Sequence, residues 1–134
     1  MGELLTGVLA YVGYFASAIA FCLAFCVVYA RLTPHREFEL IVREHNASAA
    51  VALGGSLLGF AIALAGAIHN TETALEFVIW GCVAFATQVV AYLLARVAHP
   101  GLSYAIEQNA LAAAIWVASV SIAAGVLSAA CMSP

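Results

Sequence analysis

Glu44-His45-Asn46-Ala47-Ser48-Ala49-Ala50-Val51-Ala52-Leu53-Gly54-Gly55-Ser56-Leu57-Leu58-Gly59-Phe60 opens polar and then runs without a charged residue as far as Ile68. From Asn46 onward that is a helix start signal followed by more than 20 apolar or small residues. Such a length spans a hydrocarbon layer of about 30 Å at about 1.5 Å per residue. Val51, Leu53, Leu57, Leu58, Phe60, Ile62, Leu64 and Ile68 at about −0.3 to −0.6 kcal/mol each favour insertion by roughly 2–5 kcal/mol. One central Arg would erase most of that gain, and none is present.

Three similar stretches flank it, giving spans at roughly 4–30, 47–68, 74–97 and 109–132. Only the third carries charge, with Glu76 near its start and Arg96 near its end. Across the chain of 134 residues, 66% are hydrophobic and 8% charged. A soluble domain of this size could not hide so much apolar surface, whereas lipid covers it. The first stretch is too long for the core of a secretory signal and reads as a retained helix. The chain is therefore expected to be an all-α membrane protein, a single transmembrane domain over 1–134 with membrane lipid as its principal partner. With a net charge of −3, no Lys and no Asp, it has no basic patch, and no nucleic-acid partner is expected.

The four basic residues orient it. Arg31, Arg36 and Arg43 lie in the first loop and Arg96 at the start of the third, while the middle loop, 69–73, has neither Lys nor Arg. Loops 31–46 and 97–108 are then cytoplasmic and both termini periplasmic. In the first loop Thr33-Pro34 suits an N-cap with Pro at the first helical position, and Phe38, Ile41 and Val42 follow helical spacing. This predicts a short interfacial helix or an extension of the second span. His99-Pro100-Gly101 breaks the third span before a helical restart over 102–109.

The chain also repeats itself. Glu44-His45-Asn46-Ala47 matches Glu107-Gln108-Asn109-Ala110 at an offset of 107 − 44 = 63, which Tyr29 and Tyr92 share. Each half, about 4–68 and 74–132, is a span, a cytoplasmic loop, an E-x-N-A element and a span rich in small residues. The architecture expected is two tandem parallel two-helix repeats about an axis along the membrane normal. Chance likeness between Ala-rich helices is the competing reading.

The run Leu32-Thr33-Pro34 through Arg43-Glu44-His45-Asn46, the run Ala49 to Phe60, and Ala129-Ala130-Cys131-Met132 make the chain similar to the bacterial inner-membrane proteins of the domain-of-unknown-function 350 family. That resemblance covers nearly the whole chain. It implies a two-repeat, four-helix fold, an inner-membrane location and a link to membrane stress and envelope maintenance, but no assigned activity. Family members usually carry Gly where His45 and Gln108 stand, so the local backbone there is expected to differ from theirs.

Within this frame the candidate functional residues are few. Gly55, Gly59, Ala63 and Ala67 recur every four positions in the second span, and Ser121, Gly125 and Ala129 do so in the fourth. Such stripes let helix backbones approach closely, either for packing or to line a narrow pore. Asn46 and Asn109, with Glu44 and Glu107 beside them, form a candidate polar cluster at the cytoplasmic mouth. They read as helix caps and anchors or as a cation-selecting ring. Gln88 is the most polar side chain deep in a span, as interhelical glue or a substrate contact. Tyr29 and Tyr92 fit a cytoplasmic aromatic belt, Tyr11, Tyr14 and Trp80 an outer one, and Trp116 lies deeper, where it packs between helices. Cys22, Cys26, Cys82 and Cys131 lack a metal-binding spacing, and His69, Glu72 and Glu76 read as a solvated loop. No metal and no cofactor is expected.

No ionisable group sits mid-span, which disfavours a coupled carrier, and no catalytic constellation can assemble. The chain is expected not to be an enzyme. Three readings follow: a homo-oligomeric structural or interaction protein of the inner membrane; a small channel or leak pathway between the second and fourth spans; and a membrane subunit of a larger complex, docked through loop 31–46.

Overall fold

The computed structural model describes residues 1–33 and 37–132. It contains six helices: α1 (Gly2–Leu32), α2 (Glu37–Val42), α3 (Ala47–Asn70), α4 (Ala74–Ala98), α5 (Leu102–Glu107) and α6 (Leu111–Cys131). Among the described residues there is no strand. Helices α1, α3, α4 and α6 are each long and apolar enough to cross a membrane. The fourth span begins at Leu111 rather than at residue 109, because Asn109 takes a left-handed conformation (φ 60°) and Ala110 is the N-cap. Thr33 ends α1 instead of starting the loop helix. It is the C-cap, and its hydroxyl donates back to Tyr29 O at 3.1 Å. Pro34 and the side chain of Phe38 lie outside the described residues.

The tightest packing in the molecule joins α3 and α6. A Cβ on Gly55 would overlap Ala118, one on Gly59 would overlap the Ser121 carbonyl, and one on Gly66 would overlap Ala129. The separations 118 − 55 = 63, 121 − 59 = 62 and 129 − 66 = 63 stay nearly constant along the helices. The two helices therefore run parallel, with matching faces turned toward each other. Glycine is required here because the neighbouring backbone occupies the space a side chain would take.

Helix α4 lies against both α3 and α6, and α1 lies against α3 and α4. Among the described residues α1 has no comparable contact with α6. Aromatic rings fill the α1/α3/α4 junction. Phe25 stacks on Phe60 with ring centroids 4.9 Å apart, and Phe21 meets Phe77 edge-on at 5.7 Å. Tyr29 and Tyr92 are 1% and 2% exposed and pack edge to face at 5.1 Å. They are core residues, not the lipid-facing belt that their position near a membrane interface predicts. The bundle draws them inward because α1 and α4 lie side by side there, each ring packing on the other. Tyr11 and Trp80 do remain exposed, and Tyr14 packs edge-on against Phe77.

Candidate functional site: a polar strap at one end of the bundle and a polar lock at its middle

The E-x-N-A elements do come together, but their two asparagines play different parts. Asn46 is 6% exposed and is the N-cap of α3. Its Oδ1 accepts from Ala49 N at 3.0 Å, and its Nδ2 donates to Ile106 O at 2.8 Å. One side chain thus satisfies an orphan N–H at the start of α3 and a carbonyl near the end of α5, 60 residues away in sequence. Asn109 is exposed, and its Oδ1 accepts from Ser48 N at 3.0 Å. It caps α3, the helix of the other half, instead of its own. Helix α6 begins at Ala110 with no side-chain cap.

The cause is a one-residue slip. The sequence match pairs His45 with Gln108, yet the left-handed residues are His45 (φ 52°) and Asn109 (φ 60°), 109 − 45 = 64 apart. Gln108 has an ordinary φ of −82°. Asn tolerates the left-handed region better than other non-Gly residues, so the turn forms there. Glu44 and Glu107 are both exposed, beside the strap rather than inside a pore mouth.

A second polar group lies deep in the bundle. Gln88 of α4 is 1% exposed, as are Ser56 of α3 and Ser121 of α6. With its amide assigned from the available partners, Gln88 donates from Nε2 to Ser121 O at 3.3 Å and accepts at Oε1 from Gly125 N at 3.0 Å. Ser56 Oγ donates to Ala52 O at 2.8 Å and lies 3.3 Å from Ser121 Oγ. Since the Ser56 proton is committed to Ala52, the Ser121 hydroxyl is the donor across the interface. Three spans are thus tied at one level, and every polar group of the lock is satisfied within protein, as hydrocarbon demands.

Gly55, Gly59, Ser121 and Gly125 form the α3–α6 contact itself, and a Cβ on Gly125 would strike the Gly59 carbonyl. That contact leaves no lumen, so a pathway between the second and fourth spans would require the helices to part. Ala63 and Ala67 are fully buried. Sequence reading missed Gly66, whose place opposite Ala129 follows from spacing 55, 59, 66, and it missed Ser56 as the partner of Ser121. At the α4–α6 seam Trp116, 41% exposed, donates its indole N–H to Ala95 O at 3.1 Å. Arg96 reaches across to the last carbonyls of α1, with Nη1 3.3 Å from Leu32 O. Among the described residues no group of His, Cys or Glu is placed to hold a metal.

Four apolar helices joined by interhelical polar bonds define a polytopic helical membrane protein with no catalytic constellation among its described residues. The model of the Domain of Unknown Function (DUF350) family matches residues 3–132, and the chain belongs to that family. It is 32% identical over 131 residues to the "UPF0719 inner membrane protein YjfL" of Escherichia coli K12, covering 98% of each chain, and equally similar to the protein of that name in strain O157:H7. No solved structure matches it.

Proposed function

We propose that this protein is a non-enzymatic, homo-oligomeric structural module of the bacterial inner membrane that organises the bilayer and the proteins around it. The observation that carries this reading is the state of the polar lock at mid-bundle. Gln88, Ser56 and Ser121 are consumed in bonds between helices. Conducting and carrying proteins instead turn such groups toward a water-filled path. The glycine contact of α3 with α6 supports the same reading, since it closes the interface that the channel alternative needs. The two halves are tandem repeats, with termini periplasmic and loops 31–46 and 97–108 cytoplasmic. Membership in a family whose relative in Escherichia coli is named an inner membrane protein supports the location.

Proteoliposome flux tests this. Purified protein in sealed vesicles is expected to raise neither K⁺, Na⁺ nor small-solute permeability above that of protein-free vesicles. A flux that scales with protein content and is altered by Gln88→Leu would overturn the reading in favour of a pathway. Docking of a protein partner on loop 31–46 is a second reading, favoured by the strap, which ties Asn46 at the loop's end to α5. Capture of a partner that is lost when residues 35–43 are scrambled would support it.

A further inference from the structure

Arg31 and Arg96 stand in the last turns of α1 and α4. These two helices run in the same direction, since Tyr14 meets Phe77 and Tyr29 meets Tyr92. Their C-terminal ends therefore lie side by side. Arg96 closes the corner between them. Its Nη1 reaches Leu32 O at 3.3 Å, and Leu32 follows Arg31 in the chain. Two guanidinium groups thus share one corner of the bundle.

The fold leaves their charge largely unanswered. Among the described residues neither arginine pairs with a carboxylate. Arg96 gives one of its five N–H donors to Leu32 O, and the rest of the planar fork has no partner among those residues. The helix ends account for part of the charge. Each C-terminus bears about half a negative charge, so two guanidiniums at two such ends leave about one positive charge over.

The surroundings say what meets that charge. Arg96 is exposed, and Leu93, Leu94 and Val97 beside it are exposed too, Val97 to 79%. Leu23 and Val27 precede Arg31 by eight and four positions, share its helix face and are exposed. Such apolar stripes on membrane spans face acyl chains. Both arginines end a stripe of this kind, at the level where acyl chains give way to headgroups. The counter-ion available there is the lipid phosphate, which a guanidinium fork binds through paired N–H groups. The other end of the bundle differs, since Glu3, Glu72 and Glu76 are exposed there and would repel an anionic lipid.

We infer that the α1/α4 corner binds the headgroup of an anionic phospholipid, with Arg31 and Arg96 clamping its phosphate. Its acyl chains lie along the Leu23–Val27 and Leu93–Val97 stripes. The site goes beyond the structural role proposed above, because it holds for either leaflet and for any number of subunits.

Lipid retention tests it. Protein purified in mild detergent is mixed with equal amounts of dioleoylphosphatidylglycerol and dioleoylphosphatidylcholine, and bound lipid is counted by native mass spectrometry. Phosphatidylglycerol is expected to be held in clear preference. Arg31→Gln, which breaks no bond among the described residues, is expected to weaken its binding about fivefold, the worth of one Arg at an anionic surface. Arg31→Gln with Arg96→Gln is expected to weaken it about 25-fold. Arg43→Gln, at an exposed position of the same end but outside the corner, is expected to leave it unchanged. Should the double variant fail to fold, Arg31→Gln against Arg43→Gln decides alone. Equal retention of the two lipids, or equal losses from Arg31→Gln and Arg43→Gln, would overturn the site. Displacement of the lipid by inorganic phosphate would make the corner a site for free anions and overturn the lipid assignment.

Discussion

His45 sits at φ 52°, a region that costs a side-chain-bearing residue roughly 1–2 kcal/mol and glycine almost nothing. His45→Gly is therefore expected to stabilise the protein by about 1 kcal/mol, read as a higher midpoint of unfolding in mixed detergent. No gain, or a loss, would show that the imidazole makes a compensating contact. Gln108→Gly, at an ordinary φ of −82°, should give no such benefit, although the sequence repeat makes the two positions equivalent. The asparagines separate in the same way. Asn46→Ala strands Ala49 N and removes the tie to Ile106 O, which keeps its bond from Asn109 N; at a side chain 6% exposed this should cost about 2 kcal/mol. Asn109→Ala removes a single, partly buried bond from an exposed side chain and should cost about 1 kcal/mol. Equal losses would mean that the two elements are equivalent after all. The meeting of these asparagines was legible in the repeated E-x-N-A. Their division of labour was not, because a shift of one residue in the left-handed position leaves no trace in composition or spacing.

Between elements, the decisive contrast is between glycines that face a neighbour and one that does not. Gly59 and Gly125 meet backbone across the α3–α6 contact. Gly59→Ala should thus separate the helices and lower stability by at least about 1–3 kcal/mol, the range for overpacking a tight core. Gly54→Ala, with open space at its Cβ, should leave stability nearly unchanged. Comparable losses of monomer stability at the two positions would sink this assignment of faces. Gln88→Leu removes both interhelical bonds to α6 and should cost about 1–2 kcal/mol, within the range for polar contacts in membranes. The four spans could be read from hydropathy because length and the absence of charge suffice for insertion. The Gly55–Gly59 stripe could be read from its spacing. What spacing could not assign was the direction of each face. Apolarity does not distinguish lipid from protein in this solvent, so Gly54 and Gly55 look alike until the helices are placed. The same ambiguity put Tyr29 and Tyr92 in a lipid-facing belt, whereas they pack on each other in the core.

For the whole molecule, the proposed orientation rests on Arg31, Arg36, Arg43 and Arg96, all on one side of the sequence topology. Each Arg opposes translocation, and nothing on the other side opposes it in turn. The native cysteines supply a direct measurement. Cys131 is exposed at the C-terminal end of α6, the end that the proposed orientation puts at the periplasmic surface. Cys82 is exposed too, but nine positions into α4, where hydrocarbon keeps a charged reagent away. Cys22 and Cys26 are partly buried along α1. A membrane-impermeant maleimide added to intact spheroplasts is therefore expected to label this protein, and Cys131→Ser is expected to abolish that labelling. Inverted vesicles should stay unlabelled until they are opened. The reverse pattern would turn the molecule over and place the Asn46–Asn109 strap outside. The α3–α6 contact would survive that result, because the bonds and glycine packing that hold it are the same whichever end faces the cytoplasm.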